Sequence, residues 1–190
     1  MKNKYTFPGK QKITFTFVDG NYLWIAFYGI SSICDLQKNS IFNPNLCYWD
    51  VDVTGNEIKS IIDDVSYLYL ALDHLTYLGA KVNKITPSSI SYFVKQESIE
   101  EEAIDLVRDD TYIYFLIPGI LSGTNTKICK YNKSTRAFVE TIDLNTVFNA
   151  KKIDIDNSEI LWVVSDLDSI PKITKIWYDI TWQFQTYILS

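Results

Sequence analysis

The sequence has few of the residues on which most catalytic and metal sites depend. Its 190 residues include one histidine, His74, and three cysteines, Cys34, Cys47 and Cys129. A nucleophilic triad places a base beside a serine or cysteine, and a zinc site needs clustered cysteines and histidines. We therefore predict no catalytic residue and no metal ligand. His74 is interpreted as a loop residue and the cysteines as free thiols, with a Cys34–Cys47 disulfide as the less favoured alternative.

Long apolar runs and an excess of positive charge are also absent. The first 12 residues contain four lysines and no apolar run of signal-peptide length. No window reaches the roughly 18 apolar residues needed to cross a membrane. The formal net charge of −5 disfavours binding to the phosphate backbone of nucleic acid. We expect no membrane span, no nucleic-acid partner and no signal peptide, hence a cytoplasmic protein or, if phage-encoded, a virion protein.

The residues that are abundant favour a folded, strand-rich chain. Hydrophobic residues make up 47% of the sequence and charged residues 22%, a balance that excludes disorder as the main state. Aromatic residues reach 15%, and flat rings pack well on pleated strands. The length of 190 residues suits one domain or a series of small repeats.

An internal repeat decides the predicted fold. Segments of nine residues starting at Asp19, Asp64, Asp109 and Asn157 align without gaps at spacings of 45, 45 and 48 residues. The alignment contains an all-aromatic column, which consists of Trp24, Tyr69, Tyr114 and Trp162. An apolar column precedes the turn acid and consists of Phe17, Ile62, Val107 and Ile155. Each segment therefore predicts a strand, a turn built on an Asp or Asn side chain, and a second strand.

A second repeated block supplies two further strands. It has the pattern Lys, apolar, any residue, Lys and begins at Lys81, Lys127 and Lys172. A polar turn and a fourth strand follow. In the first repeat we expect an insertion at Gln37–Asn45, with Cys47–Val51 in place of the block and a short fourth strand at Glu57–Lys59.

Four strands every ~45 residues are the size of one β-propeller blade. We predict an all-β fold in which residues 1–190 form a single propeller domain of four four-stranded blades. The expected blade boundaries are 11–58, 59–100, 101–148 and 149–190, with residues 1–10 as an N-terminal extension. The stretch at 96–103, with Ser98 and Glu101 in capping-box form, is expected to be a helix-like, solvated acidic connector. The less favoured alternative is a docking patch for a basic partner.

The stretch Lys127–Leu144 resembles the outer half of a blade in YncE-like and NHL-like propeller repeats. In those blades a strand that ends in an aromatic residue and Asn or Asp meets a Ser-Thr-Gly turn and a returning strand. Here Arg136 replaces the expected glycine, so the turn is expected to be of another type. The resemblance implies a ring of blades and leaves the chemistry open.

Two ways of completing the ring remain open from the sequence. In the first, the chain closes on itself as a four-bladed propeller, which is the small end of the known range. In the second, two chains pair as half-rings or stack, because the blade faces left at each end of the chain are apolar and need cover.

The candidate ligand-binding residues are charged side chains expected at the mouth of the central channel. They are Asp63, Arg108, Asp154 and Asp156, which the repeat alignment places in two neighbouring columns of the first strands. Such a group would hold a cation or a sugar, or act as an acid–base pair. The alternative is that Arg108 pairs with the acids and plugs the channel. We predict no cofactor apart from a possible channel-bound cation. The turn residues Asp19, Asp64 and Asp109 are interpreted as structural.

Aromatic residues outside the repeated columns are candidates for an interface. They are Trp49, Trp177, Tyr178 and Trp182. Exposed rings of this kind stack on sugars or anchor a protein partner. The alternative is that they fill the space between blades.

These observations predict a non-enzymatic binding or assembly module. The bias towards Ile, Lys, Asn and Tyr favours a phage structural protein of the tail or baseplate, in which symmetric copies contact protein neighbours or one another. The first alternative is a lectin-like propeller that binds a glycan. The second and weaker alternative is a lyase or hydrolase that uses the channel carboxylates.

Overall fold

A computed structural model describes most of the chain. The described residues are 12–30, 33–42, 47–86, 89–96, 99, 101–119, 124–145, 147, 149–167 and 170–189, with only the backbone described at 29–30, 33–35, 47–51 and 167. These residues form 16 strands and no helix. Accordingly, none of them belongs to a helix with the length and hydropathy of a membrane span.

The strands form four antiparallel sheets, each built from four consecutive strands. Sheet 1 contains β1 (Ile13–Asp19), β2 (Tyr22–Ile30), β3 (Ile33–Ser40) and β4 (Cys47–Thr54). Sheet 2 contains β5 (Glu57–Asp64), β6 (Tyr67–Asp73), β7 (Tyr77–Asn83) and β8 (Ile90–Val94). Sheet 3 contains β9 (Asp105–Arg108), β10 (Tyr112–Ile117), β11 (Thr126–Asn132) and β12 (Phe138–Leu144). Sheet 4 contains β13 (Ala150–Ile155), β14 (Leu161–Leu167), β15 (Ile170–Asp179) and β16 (Thr181–Ile188).

The turn between the first two strands of a sheet is held by an acidic side chain. In sheet 3, Asp109 Oδ1 accepts the backbone N–H groups of Thr111 and Tyr112, both at 2.6 Å. In sheet 2, Asp64 Oδ1 accepts the N–H of Val65 at 2.9 Å. These bonds confirm the structural role predicted for Asp64 and Asp109, since a short acidic side chain satisfies the donors of a tight turn.

The sheets pack face to face in chain order through their first strands, with β1 against β5, β5 against β9 and β9 against β13. Three apolar clusters fill these contacts, between sheets 1 and 2, sheets 2 and 3, and sheets 3 and 4. No cluster of described residues joins sheet 4 to sheet 1. The predicted propeller of four four-stranded blades is confirmed, and its sheets form an open series, as a half-ring would, rather than a closed ring.

The first repeat is more regular than the sequence predicted. Gln37–Ser40 belongs to the third strand, β3, and is not an insertion, while Cys47–Val51 lies in the fourth strand, β4. Glu57–Lys59 begins the first strand of sheet 2, so that sheet starts two residues before the predicted boundary. The strand was not predicted because its residues are polar. Gln37 and Asn39 are buried there in spite of their amide side chains.

The repeated lysines align differently from the sequence pattern. Strand pairing places Lys81 opposite Tyr69, Lys130 opposite Tyr114 and Lys175 opposite Trp162. Lys81 is therefore equivalent to Lys130 and Lys175, and not to Lys127 and Lys172. The sequence alignment was shifted by three residues, because both lysines of the Lys-x-x-Lys pattern fit and the pattern does not show which of them lies opposite the aromatic residue.

Sheet 4 also departs from the predicted alignment at its first hairpin. Asp154 lies opposite Trp162, where sheets 1 to 3 have Phe17, Ile62 and Val107. The cause is one additional turn residue, which Glu159 accommodates with a φ of 60°, in the left-handed region. As a result Asp156, and not Asn157, takes the role of the turn acid.

The connector between sheets 2 and 3 is neither helical nor solvated in the part that the structure describes. Ile99 and Ala103 are buried in the cluster between these sheets, and Glu101 is only 6% exposed. The Thr124 hydroxyl donates to the Glu101 carboxylate at 2.6 Å. The prediction of a helix-like, solvated acidic connector is wrong here, because Ile99, Glu101 and Ala103 are all buried and the described residues of the connector adopt no helix.

His74 stabilises the turn between β6 and β7. Its Nδ1 accepts the N–H groups of Thr76 at 3.0 Å and Tyr77 at 3.2 Å, and its ring stacks on Tyr77. Burial, helped by the nearby Lys95 and opposed by Asp73, lowers the pKa of His74. The neutral ring is favoured because protonated Nδ1 accepts no hydrogen bond.

We expect this turn to make stability depend on pH. As the pH falls, the unfolded chain, with a histidine pKa of about 6.5, takes up the proton before the folded chain does. Stability from His74 is therefore complete above about pH 6.5 and falls as the pH decreases towards the lowered pKa of the folded state. The measurement is urea unfolding at about pH 7.5 and about pH 5.5.

The control variant for this prediction is His74→Asn. Asn83 shows that an Asn Oδ1 holds a similar turn, since it accepts the N–H groups of Ile85 and Thr86 at 2.8 and 2.9 Å. The variant keeps the acceptor and removes the titrating group. An equal loss of stability at low pH in both proteins would show that His74 is not its source.

Candidate functional site

A lysine stacked on aromatic rings recurs in all four sheets. Each of these lysines lies in the third strand, opposite the residue of the repeated aromatic column. The distances from Nζ to the nearest ring centroid are 3.9 Å for Lys38 over Tyr22, 4.0 Å for Lys81 over Tyr67, 4.2 Å for Lys130 over Tyr112 and 5.3 Å for Lys175 over Trp177. Distances below about 6 Å allow a cation–π attraction.

A second lysine bridges sheets 1 and 2. Lys84, three residues after Lys81, has its Nζ 2.8 Å from Asp19 Oδ2 and 2.5 Å from Asp63 Oδ1. Burial alone would lower the pKa of Lys84, but the hydrogen bonds and charges of the two aspartates outweigh it and raise the pKa. The lysine of one sheet therefore neutralises the turn acid of the sheet before it.

The same arrangement recurs between sheets 2 and 3. Lys133 Nζ lies 3.1 Å from Asp64 Oδ2, and the Arg108 guanidinium lies 3.6 Å from Asp64 Oδ1. Arg108 Nε also donates to the Asp63 carbonyl oxygen at 2.9 Å. Burial would raise the pKa of Asp64, but Lys133, the Val65 N–H and Arg108 outweigh it and lower the pKa.

The pattern breaks between sheets 3 and 4. The position equivalent to Lys84 and Lys133 is Tyr178, and the position equivalent to Arg108 is Ile155. Asp109, the turn acid of sheet 3, accepts the Tyr114 hydroxyl at 2.7 Å. Among the ion pairs of the described residues, none involves Asp109. The turn acids of sheets 1 and 2 pair with a basic residue of the next sheet, whereas for Asp109 the equivalent positions of the next sheet hold the neutral Tyr178 and Ile155.

A cleft of about 340 Å³ opens at this position. It is lined by three carboxylates, one ammonium group and four aromatic rings, which belong to Asp109, Glu140, Glu159, Lys130, Tyr112, Tyr114, Tyr178 and Trp182. Lys130 Nζ and Trp182 Nε1 both bind Glu140, at 3.2 and 3.1 Å. The Tyr178 and Trp182 rings meet edge to face at 5.3 Å between centroids.

The predicted channel residues do not form one group. Asp63 and Arg108 are brought together, in the bridges described above. Asp154 is exposed on sheet 4 and accepts only the N–H of its neighbour Ile155 among its described hydrogen bonds. Asp156 holds its own turn and accepts Trp162 Nε1 at 3.0 Å, a bond that lowers its pKa. Ligand binding by these four residues stays a prediction.

The predicted aromatic candidates lie on both faces of sheet 4. Tyr178 and Trp182 line the cleft, whereas Trp177 lies on the opposite face beside Lys175. The side chain of Trp49 lies outside the described residues. Tyr178 is 63% exposed, which leaves its ring available to a ligand.

Sequence reasoning missed most of the cleft. Lys130, Glu140 and Glu159 carry no signal as single residues. The Lys-x-x-Lys spacing could have indicated the cleft. In the correct alignment, Tyr178 occupies the position that is equivalent to Lys84 and Lys133, so the repeated lysine is missing there. Within the described part of the chain, no three His, Cys, Asp or Glu side chains are placed to hold a metal ion.

The face of sheet 4 that points away from sheet 3 is open. It carries Trp162, Val164, Ile173, Trp177 and Tyr187. Val164 is 38% exposed and Tyr187 is 42% exposed. The residues equivalent to Val164 in the other sheets are Ala26, Ala71 and Leu116, and each of them is fully buried under the next sheet.

Comparison with known proteins supports the fold and gives no function. No family model and no curated protein matches the sequence. The fold is similar to that of the computationally designed Ika4 protein, with a TM-score of 0.61 and 10% identity over 100% of both chains. It is also similar to a quinonprotein alcohol dehydrogenase-like protein from Bacteroides thetaiotaomicron, with a TM-score of 0.61 and 8% identity. That match covers 90% of this chain and 40% of the other. Both are propeller proteins, and the chain has the fold of a β-propeller.

Proposed function

We propose that the chain is a non-enzymatic binding and assembly module and that the open face of sheet 4 binds a second copy of the chain. The observation that carries the proposal is the exposure of Val164 and its neighbours, at positions that the next sheet covers in sheets 1 to 3. Apolar surface removed from water stabilises an interface by roughly 25 cal/mol per Å². Covering the open face of sheet 4 would therefore stabilise the protein, as the next sheet does for the equivalent faces of sheets 1 to 3.

A second copy is favoured as the partner by the repeat itself. Each equivalent face on sheets 1 to 3 is covered by a sheet of this same chain, so another copy offers the surface most similar to those natural covers. Terminal repeats with fully polar outer faces end a series, whereas this face keeps Trp162, Val164 and Ile173. The first strand adds the exposed carboxylate of Asp154 to this face, whereas Lys152 already pairs with Asp105 of sheet 3 at 3.5 Å.

Absolute mass in solution tests the proposal. Light scattering on a sizing column is expected to give a mass of at least twice the 22.0 kDa chain mass, in whole-number steps of it. Val164→Asp is expected to shift the mass to that of one chain, because it buries a carboxylate in the interface. The matched control is Val65→Asp, since Val65 is 91% exposed in a turn. A single-chain mass for the unmodified protein, or an equal effect of both variants, would contradict the proposal.

The wider setting rests on the sequence. Composition predicts a phage tail or baseplate protein, and Lys127–Leu144 resembles the outer half of YncE-like and NHL-like blades at the level of the fold. The second candidate function is glycan binding, which is favoured by the Tyr178 and Trp182 rings at the cleft, because aromatic faces pack against sugars. Retention on a polysaccharide column that is released by free sugar and lost in Trp182→Ala would support this function.

A further inference from the structure

We propose that the cleft between sheets 3 and 4 binds an organic ammonium group, supplied by a lysine side chain of a partner or by a free polyamine. The cleft lies on the face of sheet 4 opposite to the open face. The inference is therefore independent of self-association, and either proposal can fail without the other.

The contacts between sheets 1 and 2 and between sheets 2 and 3 show that this position of the fold binds an ammonium group. Between sheets 1 and 2 the turn acid Asp19 holds the Lys84 ammonium at 2.8 Å, and between sheets 2 and 3 the turn acid Asp64 holds the Lys133 ammonium at 3.1 Å. Asp109 is the third turn acid of this series, and Tyr178 stands where the lysine is expected. The protein thus contains two occupied examples of the site and one whose internal ammonium has been replaced by a neutral residue.

The backbone explains why the third position is open. In sheets 2 and 3 the third strand ends at Asn83 and Asn132, whose side chains begin a turn. In sheet 4 the equivalent residue is Trp177, and β15 continues to Asp179. Because the strand continues where sheets 2 and 3 have a turn, Tyr178 lies within the hairpin and packs on Trp182. Its side chain does not fill the space in front of Asp109.

The lining of the cleft suits an ammonium group attached to an alkyl chain. Three carboxylates, those of Asp109, Glu140 and Glu159, face one lysine, Lys130, which leaves an excess of negative charge. Lys130 is engaged by Glu140 at 3.2 Å. The aromatic rings contribute cation–π attraction and apolar contact for the alkyl chain. A neutral sugar would use the rings but leave the excess charge uncompensated.

Titration followed by NMR tests the proposal. The probe signal is the indole N–H of Trp182, which donates to Glu140 at 3.1 Å, assigned through Trp182→Phe. Spermidine and Nα-acetyl-lysine methylamide are each expected to shift this signal saturably. Tighter binding of the lysine derivative would point to a partner's side chain, and tighter binding of spermidine to a free polyamine.

Three variants at the cleft give the direction of the effect. Asp109→Asn keeps an acceptor for the turn, as Asn132 does in its own turn, and is expected to weaken binding at least about tenfold. Tyr178→Lys places a positive charge at the cleft and is expected to weaken binding more than Tyr178→Leu, which removes the ring alone. Circular dichroism confirms that each variant folds.

Several results would overturn the proposal. The first is the absence of a saturable shift with either amine. The second is equal affinity in the unmodified protein, Asp109→Asn and Tyr178→Lys. The third is a saturable shift with chitotriose, a neutral oligosaccharide, where both amines fail, which would make the cleft a carbohydrate site.

Discussion

Replacing Gly79 with alanine is expected to remove a large share of the stability of the fold. A Cβ atom at Gly79 would lie 2.3 Å from the carbonyl oxygen of Leu70 and 2.4 Å from Cε1 of Phe115. The first atom belongs to the backbone of the neighbouring strand and the second to the core between sheets 2 and 3. Overpacking of this kind costs about 3 kcal/mol, which corresponds to a fall in Tm of about 6–12 °C for a chain of this size.

Gly20→Ala is the matched control for this prediction. Gly20 has a φ of 56°, but a Cβ there would meet no atom within 4 Å. Its expected cost is backbone strain alone, about 1 kcal/mol. Thermal unfolding of both variants checks the comparison. If Gly79→Ala were no more destabilised than Gly20→Ala, the close packing of Phe115 on β7 would be wrong.

The environment of Gly79 shows why it differs from its equivalents. The same column holds Leu36 in sheet 1, Ile128 in sheet 3 and Ile173 in sheet 4, opposite Ala26, Leu116 and Val164. In sheet 2 both partners of the pair are small, Ala71 and Gly79. The space they leave is filled by Phe115 from sheet 3, whose ring also contacts Phe93 and Tyr131. A glycine in one repeat is therefore matched by a large residue in the next.

The sequence predicted those parts of the fold that repeat. The hairpin around each turn acid and the aromatic column recur at nearly constant spacing, because every sheet solves the same packing problem. The third strand of sheet 1 was missed, since Gln37 and Asn39 are polar residues whose burial depends on tertiary contacts. The alignment of sheet 4 was wrong by one residue, because the extra turn residue at Glu159 is invisible until the strands are paired.

The candidate site was less predictable for a related reason. Asp63 and Arg108 were selected as charged residues of the first strands, and they do meet. Lys84, which pairs with Asp63, and Lys133, which pairs with Asp64, come from the turn after the third strand. The cleft lies where Tyr178 stands in place of the repeated lysine. The missing lysine is recognised only when the lysines are aligned by strand pairing. The sequence pattern had aligned them three residues away from their true equivalents.

The aromatic column yields the second large prediction. Trp24 and Trp162 occupy the same place in their sheets and lie opposite equivalent lysines, Lys38 and Lys175. Trp24 is fully buried under sheet 2, whereas Trp162 lies on the open face of sheet 4. We expect Trp24→Ala to lower the free energy of unfolding by about 3–5 kcal/mol and Trp162→Ala to lower it by less than about 1 kcal/mol.

Both substitutions are best measured by urea unfolding in a Val164→Asp background, which is expected to remove the proposed self-association through sheet 4. Without that background, Trp162→Ala is expected to cost more, since a protein that unfolds from an assembled state also loses its subunit contacts. The difference between the two backgrounds reports how much the second copy covers Trp162.

Equal effects of Trp24→Ala and Trp162→Ala in the dissociated chain would mean that the ring is closed in solution, with sheet 4 packed on sheet 1. A small effect of Trp162→Ala in both backgrounds would keep the series open and place the interface away from the aromatic column.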